Sequence, residues 1–271
     1  MPFGLWMTVG FSSCEKKPKV LYQEASAVSL LTKQEVAGYL SLVDRVPSAE
    51  RSKILSLLEM DRVQRCQESF LFFVRQMWPG FISGRHHQIM AEAFERVASG
   101  ELKRLIINMP PRHTKSEFAS YLLPAWFLGK FPQKKIIQTA HTAELAVGFG
   151  RKVRNLVSGD DYQKVFQTKL SSDSKAAGRW NTEQGGDYFA IGVGGAVTGK
   201  GADLLIIDDP HSEQEAKQNN PAVYDGVYEW YTSGPRQRLQ PGGSIIIVMT
   251  RWSKRDLTGQ VLKSAAQRAG D

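Results

Sequence analysis

Two runs in this sequence are apolar at every position. Leu204-Leu-Ile-Ile207 and Ile245-Ile-Ile-Val248 place no polar residue on either alternating set. A strand built from either is therefore apolar on both faces, the pattern of a parallel sheet covered by helices on both sides. Five runs, 105–109, 135–139, 188–193, 204–207 and 244–249, are predicted as strands. Helical spacing of apolar residues fills much of the sequence around them: 85–98, with Gly100 placed to cap it, then 116–128 and 143–157. This alternation predicts an α/β fold with a mainly parallel sheet flanked by helices. The polar stretch 164–181 is predicted as loop.

The first 80 residues have a different texture. Thr32 and Glu35 have the spacing of a capping box, followed by Val36, Tyr39, Leu40 and Val43 at helical intervals. Ser48 is placed to cap a second helix through Ile54, Leu57, Leu58, Met60 and Val63. The same pattern continues through Phe70, Phe72, Phe73 and Met77 until Pro79-Gly80 stops it. Residues 1–80 are expected to form a helical appendage or lid with a loose Lys-rich start at 15–19, and residues 81–271 the main core.

Composition narrows the function classes. No apolar run in the 271 residues approaches the roughly 20 that a spanning helix needs, which excludes an integral helical membrane protein. Residues 1–11 are apolar but lack a basic leader and are broken by Gly4 and Gly10, a poor signal peptide. Cys14 and Cys66, the two cysteines, are too few for a disulfide framework or thiolate cage and suit a reducing compartment. Lys and Arg number 35 against 27 Asp and Glu, a net +8 that permits a polyanionic partner.

Three segments carry chemistry. Met109-Pro-Pro-Arg-His-Thr-Lys-Ser116 follows a predicted strand and opens a predicted helix. A phosphate-binding loop needs backbone N–H groups at a helix start, a Lys for the β- and γ-phosphates and a hydroxyl for Mg²⁺. Lys115 and Ser116 supply the last two, but Thr114 stands where a glycine is usual and no glycine opens the loop. Leu204-Leu-Ile-Ile-Asp-Asp-Pro210 ends a buried strand in two carboxylates, with Asp208 placed for the metal and Asp209 for polarising a water. Asp-Asp-Pro is also good turn chemistry. The two strand ends are expected at one sheet edge, where folds of this class bind ligands. Thr250, at the tip of the last strand, is placed to report on the γ-phosphate.

Pro110-Pro-Arg-His-Thr-Lys-Ser116, then Gly192-Val-Gly-Gly-Ala-Val-Thr-Gly-Lys-Gly-Ala-Asp-Leu-Leu-Ile-Ile-Asp-Asp-Pro210, then Thr250-Arg-Trp252 with Asp256, Leu257 and Gly259, resemble the large terminase subunit of tailed bacteriophages. The likeness covers about residues 81–262. It implies an ASCE-type P-loop NTPase that hydrolyses ATP with Mg²⁺ and drives double-stranded DNA into a procapsid. The implied partners are a portal protein, a small terminase subunit and further copies of the chain in a ring, with a monomer in isolation and no membrane. The implied location is the cytoplasm of the bacterial host. The C-terminal nuclease of that family is not expected within these residues.

Residue by residue, the resemblance implies that Lys115 and Ser116 hold phosphate and Mg²⁺, that Arg112 approaches the γ-phosphate, and that His113 and Thr114 line the loop. It implies that Asp208 accompanies the metal, that Thr250 couples hydrolysis to movement, and that Gln88, in Arg85-His-His-Gln88, contacts adenine. The water-activating base is Asp209, Glu213 or Glu215. A cation acting on the neighbouring subunit's phosphate is expected at Lys200, with Arg238, Arg236 and Arg251 as competitors. His141, Thr142, Arg151, Lys152 and Arg154 are candidate DNA-phosphate contacts. Two rival readings are another DNA-dependent ATPase of helicase type and a nucleotide-binding scaffold that does not hydrolyse.

Overall fold

Alternation along the buried strands sets the layers. In the computed structural model, which describes residues 7–10, 30–218 and 220–269, eight strands form one sheet. They are β1 (Met7–Gly10), β2 (Arg104–Asn108), β3 (Lys135–Ala140), β4 (Leu170–Ala176), β5 (Arg179–Thr182), β6 (Asp187–Gly192), β7 (Ala202–Asp208) and β8 (Leu239–Met249). Their order is β1-β2-β8-β7-β3-β6-β5-β4. Pairings from β1 to β6 are parallel, and β6-β5-β4 are antiparallel.

The helices are α1 (Lys33–Leu42), α2 (Ser48–Glu68), α3 (Phe70–Met77), α4 (Arg85–Ala98), α5 (Leu123–Lys130), α6 (Ala143–Val157), α7 (Asp160–Val165), α8 (Glu213–Gln218), α9 (Pro221–Ser233) and α10 (Leu257–Ala269). A π-helical turn, Glu117–Leu122, leads into α5, and a 3₁₀ turn, Pro235–Arg238, leads into β8. Leu105, Ile107, Ile136, Leu204, Ile206, Ile246 and Val248 face the layer of α3 to α6. Their neighbours Ile106, Ile137, Leu205, Ile207, Ile245 and Ile247 face α9 and α10. The two-faced apolar runs are thus explained: each central strand has a helical layer on either side.

All five predicted strands are present, and α4 and α6 span the predicted residues. Gly100 takes φ +81°, the left-handed conformation that ends α4. The Thr32–Glu35 capping box is formed in both directions. Four expectations are corrected. Residues 164–181 are not loop: they close α7 and supply β4 and β5, an edge hairpin whose polar sequence shows little alternation. The helix that starts at Ser48 does not run to Met77. It breaks at Ser69, whose extended backbone (φ −109°, ψ 119°) ends α2 and whose hydroxyl caps α3. Ser48 is itself the first helical residue, with Pro47 at the cap position. Finally, 116–128 is not one α-helix but begins with the π turn.

Packing continues across the expected boundary at residue 80. Cys66, Phe70, Phe73 and Val74 lie in the same core as the sheet, with Phe70 edge-on to Phe94, Phe118 and Trp126. Trp126 Nε1 donates to the carbonyl of Cys66 at 2.9 Å. The Lys-rich start at 15–19 and most of 1–11 lie outside the described residues, as does Cys14. Among the described residues no helix is long and apolar enough to cross a membrane. Because β2, β8 and β7 are parallel neighbours, the segments that follow them emerge together at one edge.

Candidate nucleotide site

The loop after β2 is held in an uncommon backbone shape. Among the described residues three non-glycine positions have positive φ: Arg112 (+63°), Thr114 (+60°) and Asp209 (+38°). All three lie where the ends of β2 and β7 meet. Left-handed geometry at a residue with a Cβ costs about 1–2 kcal/mol, and it concentrates at ligand sites because surrounding contacts must hold it. His87 supplies one such contact. His87, at the start of α4, accepts the Gly84 N–H at Nδ1 (2.8 Å), which leaves Nε2 to donate to the Thr114 hydroxyl at 2.6 Å. That hydroxyl in turn donates to the His113 carbonyl at 2.6 Å. Thr114 thus occupies the usual glycine position in a glycine-like conformation, tied to α4. Burial and neighbouring His86 push the His87 imidazole down to about 4, so it is neutral at pH 7.

Two carboxylates face this loop. Asp208, the last residue of β7, is 2% exposed and accepts hydroxyl bonds from Ser116 (3.0 Å) and Ser120 (2.7 Å). Gln138 on β3 supports Ser120 with a bond of 2.9 Å to its oxygen. Burial, then the Asp209 charge, push the Asp208 carboxyl up to about 7. Asp209 pairs with Lys115: Nζ to Oδ2 is 2.7 Å, and the lysine side chain is 7% exposed. Its other oxygen accepts the Thr250 N–H at 2.7 Å. The Thr250 hydroxyl donates to the carbonyl of Met109 at 3.3 Å. The ends of β2, β7 and β8 are thereby cross-linked through Lys115, Asp209 and Thr250.

The donor set fits Mg²⁺. The Ser116 hydroxyl and Asp208 carboxylate are adjacent oxygens of the hard type Mg²⁺ takes, and a divalent cation would offset the charge of a carboxylate that burial now penalises. Among the described residues no group of three or more His, Cys, Asp or Glu gathers around a common point, so other ligands would be phosphate and water.

Other expected residues fall in different places. Arg112 and His113 are exposed on the loop, and His113 donates from Nδ1 to the Pro111 carbonyl at 2.8 Å. Gln88 is exposed on the first turn of α4, near the loop through its neighbour His87. Glu213 pairs with Lys217 in solvent, whereas Glu215 caps the start of α8 and lies 3.7 Å from His141. Lys200 is paired with Asp187 at 3.2 Å and lies over Phe189. Asp187 begins β6, so Lys200 sits at the opposite sheet edge from Lys115, as do Arg236 and Arg238 in the turn before β8. Arg238 Nε is buried without a hydrogen-bond partner. Arg251 is bound to Asp256 at 2.9 Å. Of the DNA candidates, Thr142 caps α6 and Lys152 pairs with Glu117 at 2.7 Å, while Arg151 and Arg154 lie on α6.

Sequence reading missed Ser120, Gln138 and the role of His87. The signal for Ser120 was a second serine four residues after Ser116, on the helix face turned to the sheet. Gln138, the one polar residue between Ile137 and Thr139 in a buried strand, signalled an internal partner. Nothing in the sequence pointed His87 at Thr114.

No family model matches the chain, and no curated protein matches it. Among solved structures, the crystal structure of the HK97 bacteriophage large terminase is similar at 15% sequence identity and a TM-score of 0.46. The match covers 75% of this chain and 42% of that one.

Proposed function

We propose that this chain is the ATP-hydrolysing motor domain of a phage-type large terminase, translocating double-stranded DNA into a procapsid. The observation that carries the reading is the meeting of Lys115, Ser116, Asp208, Asp209 and Thr250, from three adjacent parallel strands, at one sheet edge. In this reading the triphosphate displaces Asp209 from Lys115 and takes the lysine for its β- and γ-phosphates, with Arg112 closing over the γ-phosphate. Ser116 and Asp208 would hold Mg²⁺, which would supply positive charge beside the phosphates. Asp209, released at Oδ2, orients and deprotonates the attacking water, while its other oxygen remains on the Thr250 N–H. A change at the phosphate is therefore felt directly at Thr250, the start of the segment leading to α10. Gln88 contacts the base. A cation for the neighbouring site comes from Lys200 or Arg238 of another copy. Portal protein, small terminase subunit and ring assembly in the bacterial cytoplasm belong to the same proposal.

Phosphate release with and without duplex DNA tests it, on wild type and Lys115→Ala. DNA-stimulated turnover that is lost in the variant is expected. Nucleotide binding without turnover points to a scaffold, and unwinding of a forked duplex points to a helicase.

A further inference from the structure

The segment that follows β7 does more than carry Asp209. Two residues further on, the ring of His211 is 3% exposed, and its Nε2 accepts the N–H of Leu257, the first residue of α10, at 3.0 Å. Tyr224 of α9 meets the same ring edge-on, with 5.0 Å between centroids. The Tyr224 carbonyl in turn accepts from Gln260 Nε2 of α10 at 3.0 Å. His211 therefore stands where the end of β7 meets both helices of that face.

Asp209 and His211 also bracket one stretch of chain. Asp209 takes the Thr250 N–H and His211 takes the Leu257 N–H, so the turn between them is pinned at both ends by residues separated only by Pro210. That link is stiff. The buried Pro210 has its φ fixed by its ring and restricts the residue before it, Asp209, which is already held at φ +38°. A displacement of Asp209 is thus passed on to His211 and not absorbed between them.

His211 holds α10 with one of its own needs unmet. An Nε2 that accepts an N–H carries no proton, so the neutral ring has its hydrogen on Nδ1. Nδ1 is buried and has no hydrogen-bond partner among the described residues. A buried donor without an acceptor is penalised, so the ring gains wherever a shift lets it turn Nδ1–H to an oxygen. Turning it takes Nε2 off Leu257.

We propose that His211 is a positioning residue, a latch that holds the start of α10 while Asp209 rests on Lys115 and lets go when a triphosphate takes the lysine. The proposal rests on the nucleotide reading of the Lys115 loop and adds where the change at Asp209 goes: through Pro210 and His211 into the first turn of α10. His211 lies outside the Lys115–Asp209 contact and takes no part in the hydrolysis itself.

Hydrogen exchange of the first-turn amides of α10 tests this, with and without a fluorescent, non-hydrolysable ATP analogue and Mg²⁺. The proteins compared are wild type, His211→Phe, His211→Gln and Pro210→Ala. In wild type the analogue is expected to speed exchange by about tenfold, the size of one hydrogen bond. His211→Phe keeps a ring against Tyr224 but cannot accept from Leu257, so its exchange should be fast from the start and change by less than about twofold. His211→Gln, whose amide oxygen can take the Leu257 N–H, should recover most of the response. Pro210→Ala keeps the His211 contacts but loosens the link, so its response should fall to about threefold, which reads the latch even where His211→Phe folds poorly. Affinity for the analogue should stay within about twofold of wild type in all three variants, a split that a merely structural loss would not give. Wild-type exchange that stays level or slows when the analogue binds overturns the latch and leaves the nucleotide site standing. A full response in His211→Phe does the same. A wild type that binds no analogue removes the nucleotide reading, and the latch with it.

Discussion

At the scale of single residues, the candidate site is where the chain accepts backbone strain. Arg112 has φ +63° with an exposed side chain, so little in the folded protein rewards its left-handed conformation. Arg112→Gly is expected to stabilise the protein by about 1 kcal/mol, or roughly 2–4 °C in Tm, because relief of strain exceeds the added freedom of the unfolded chain. The same variant should lower ATP turnover. A Tm that stays level or falls would show that the arginine makes stabilising contacts of its own. His87 offers a second test. Its imidazole resists protonation down to about 4, against an ordinary 6.5. As pH falls from 6.5 towards 4 the unfolded chain takes up a proton that the folded chain refuses, so stability is lost across that window. The loss should be on the order of 2–3 kcal/mol greater in wild type than in His87→Gln, read by denaturant unfolding at pH 7 and pH 4.5. Equal losses in the two proteins would mean that His87 titrates normally. Lys115 is buried against Asp209, so Lys115→Ala leaves a half-buried carboxylate without its cation and should lower Tm visibly as well as end turnover.

At the scale of elements, the turn from Thr250 into α10 closes around one buried carboxylate. Asp256 is fully buried and accepts from the Trp252 and Ser253 N–H groups and Arg251 Nε at one oxygen, and from the Gly259 N–H at the other. Gly259 is required there: a Cβ would collide with the Lys254 carbonyl. Asp256→Ala strands several donors at once and should cost about 3 kcal/mol, whereas Asp225→Ala, which breaks an exposed pair with Arg255, should cost under about 0.5 kcal/mol. Thermal unfolding of the two variants side by side decides it; similar costs would mean that the cap is not what secures α10. This local logic also marks what a sequence can disclose. The central strands were legible because being buried on both faces leaves an unbroken apolar run, and α4 and α6 because one-sided burial leaves a helical period. β4 and β5 were not, since a polar edge hairpin owes its strands to pairing rather than pattern. The break at Ser69 was hidden because apolar residues continue through it, and β1 because four residues beside a sheet edge carry no period.

At the scale of the whole molecule, the sheet has two working edges. Lys115, Ser116, Asp208, Asp209 and Thr250 could be placed together from the sequence because each ends or closely follows a readable strand. Ser120, Gln138 and His87 were not, because their meaning depends on which elements pack together. That packing also separates the cations. Lys200 and Arg238 lie at the edge away from Lys115, so neither reaches the Lys115 loop of its own chain. Phosphoryl transfer gains orders of magnitude from such a cation, and the loop itself carries Arg112 and Lys115. An isolated chain should therefore be a slow ATPase, and turnover per chain should rise with protein concentration. Replacing the cation should cripple turnover but spare nucleotide affinity, since it acts on the transition state. Lys200 has first to leave Asp187, whereas Arg238 has a buried Nε with no partner, so Lys200→Ala and Arg238→Ala are both needed. Mixing settles whether the cation acts between chains. Subunits lacking it keep an intact Asp209, and Asp209→Asn subunits keep an intact cation, so a mixture should regain activity at interfaces that combine the two sound halves. Turnover per chain that is flat with concentration, together with no recovery on mixing, would mean that each chain completes its own site.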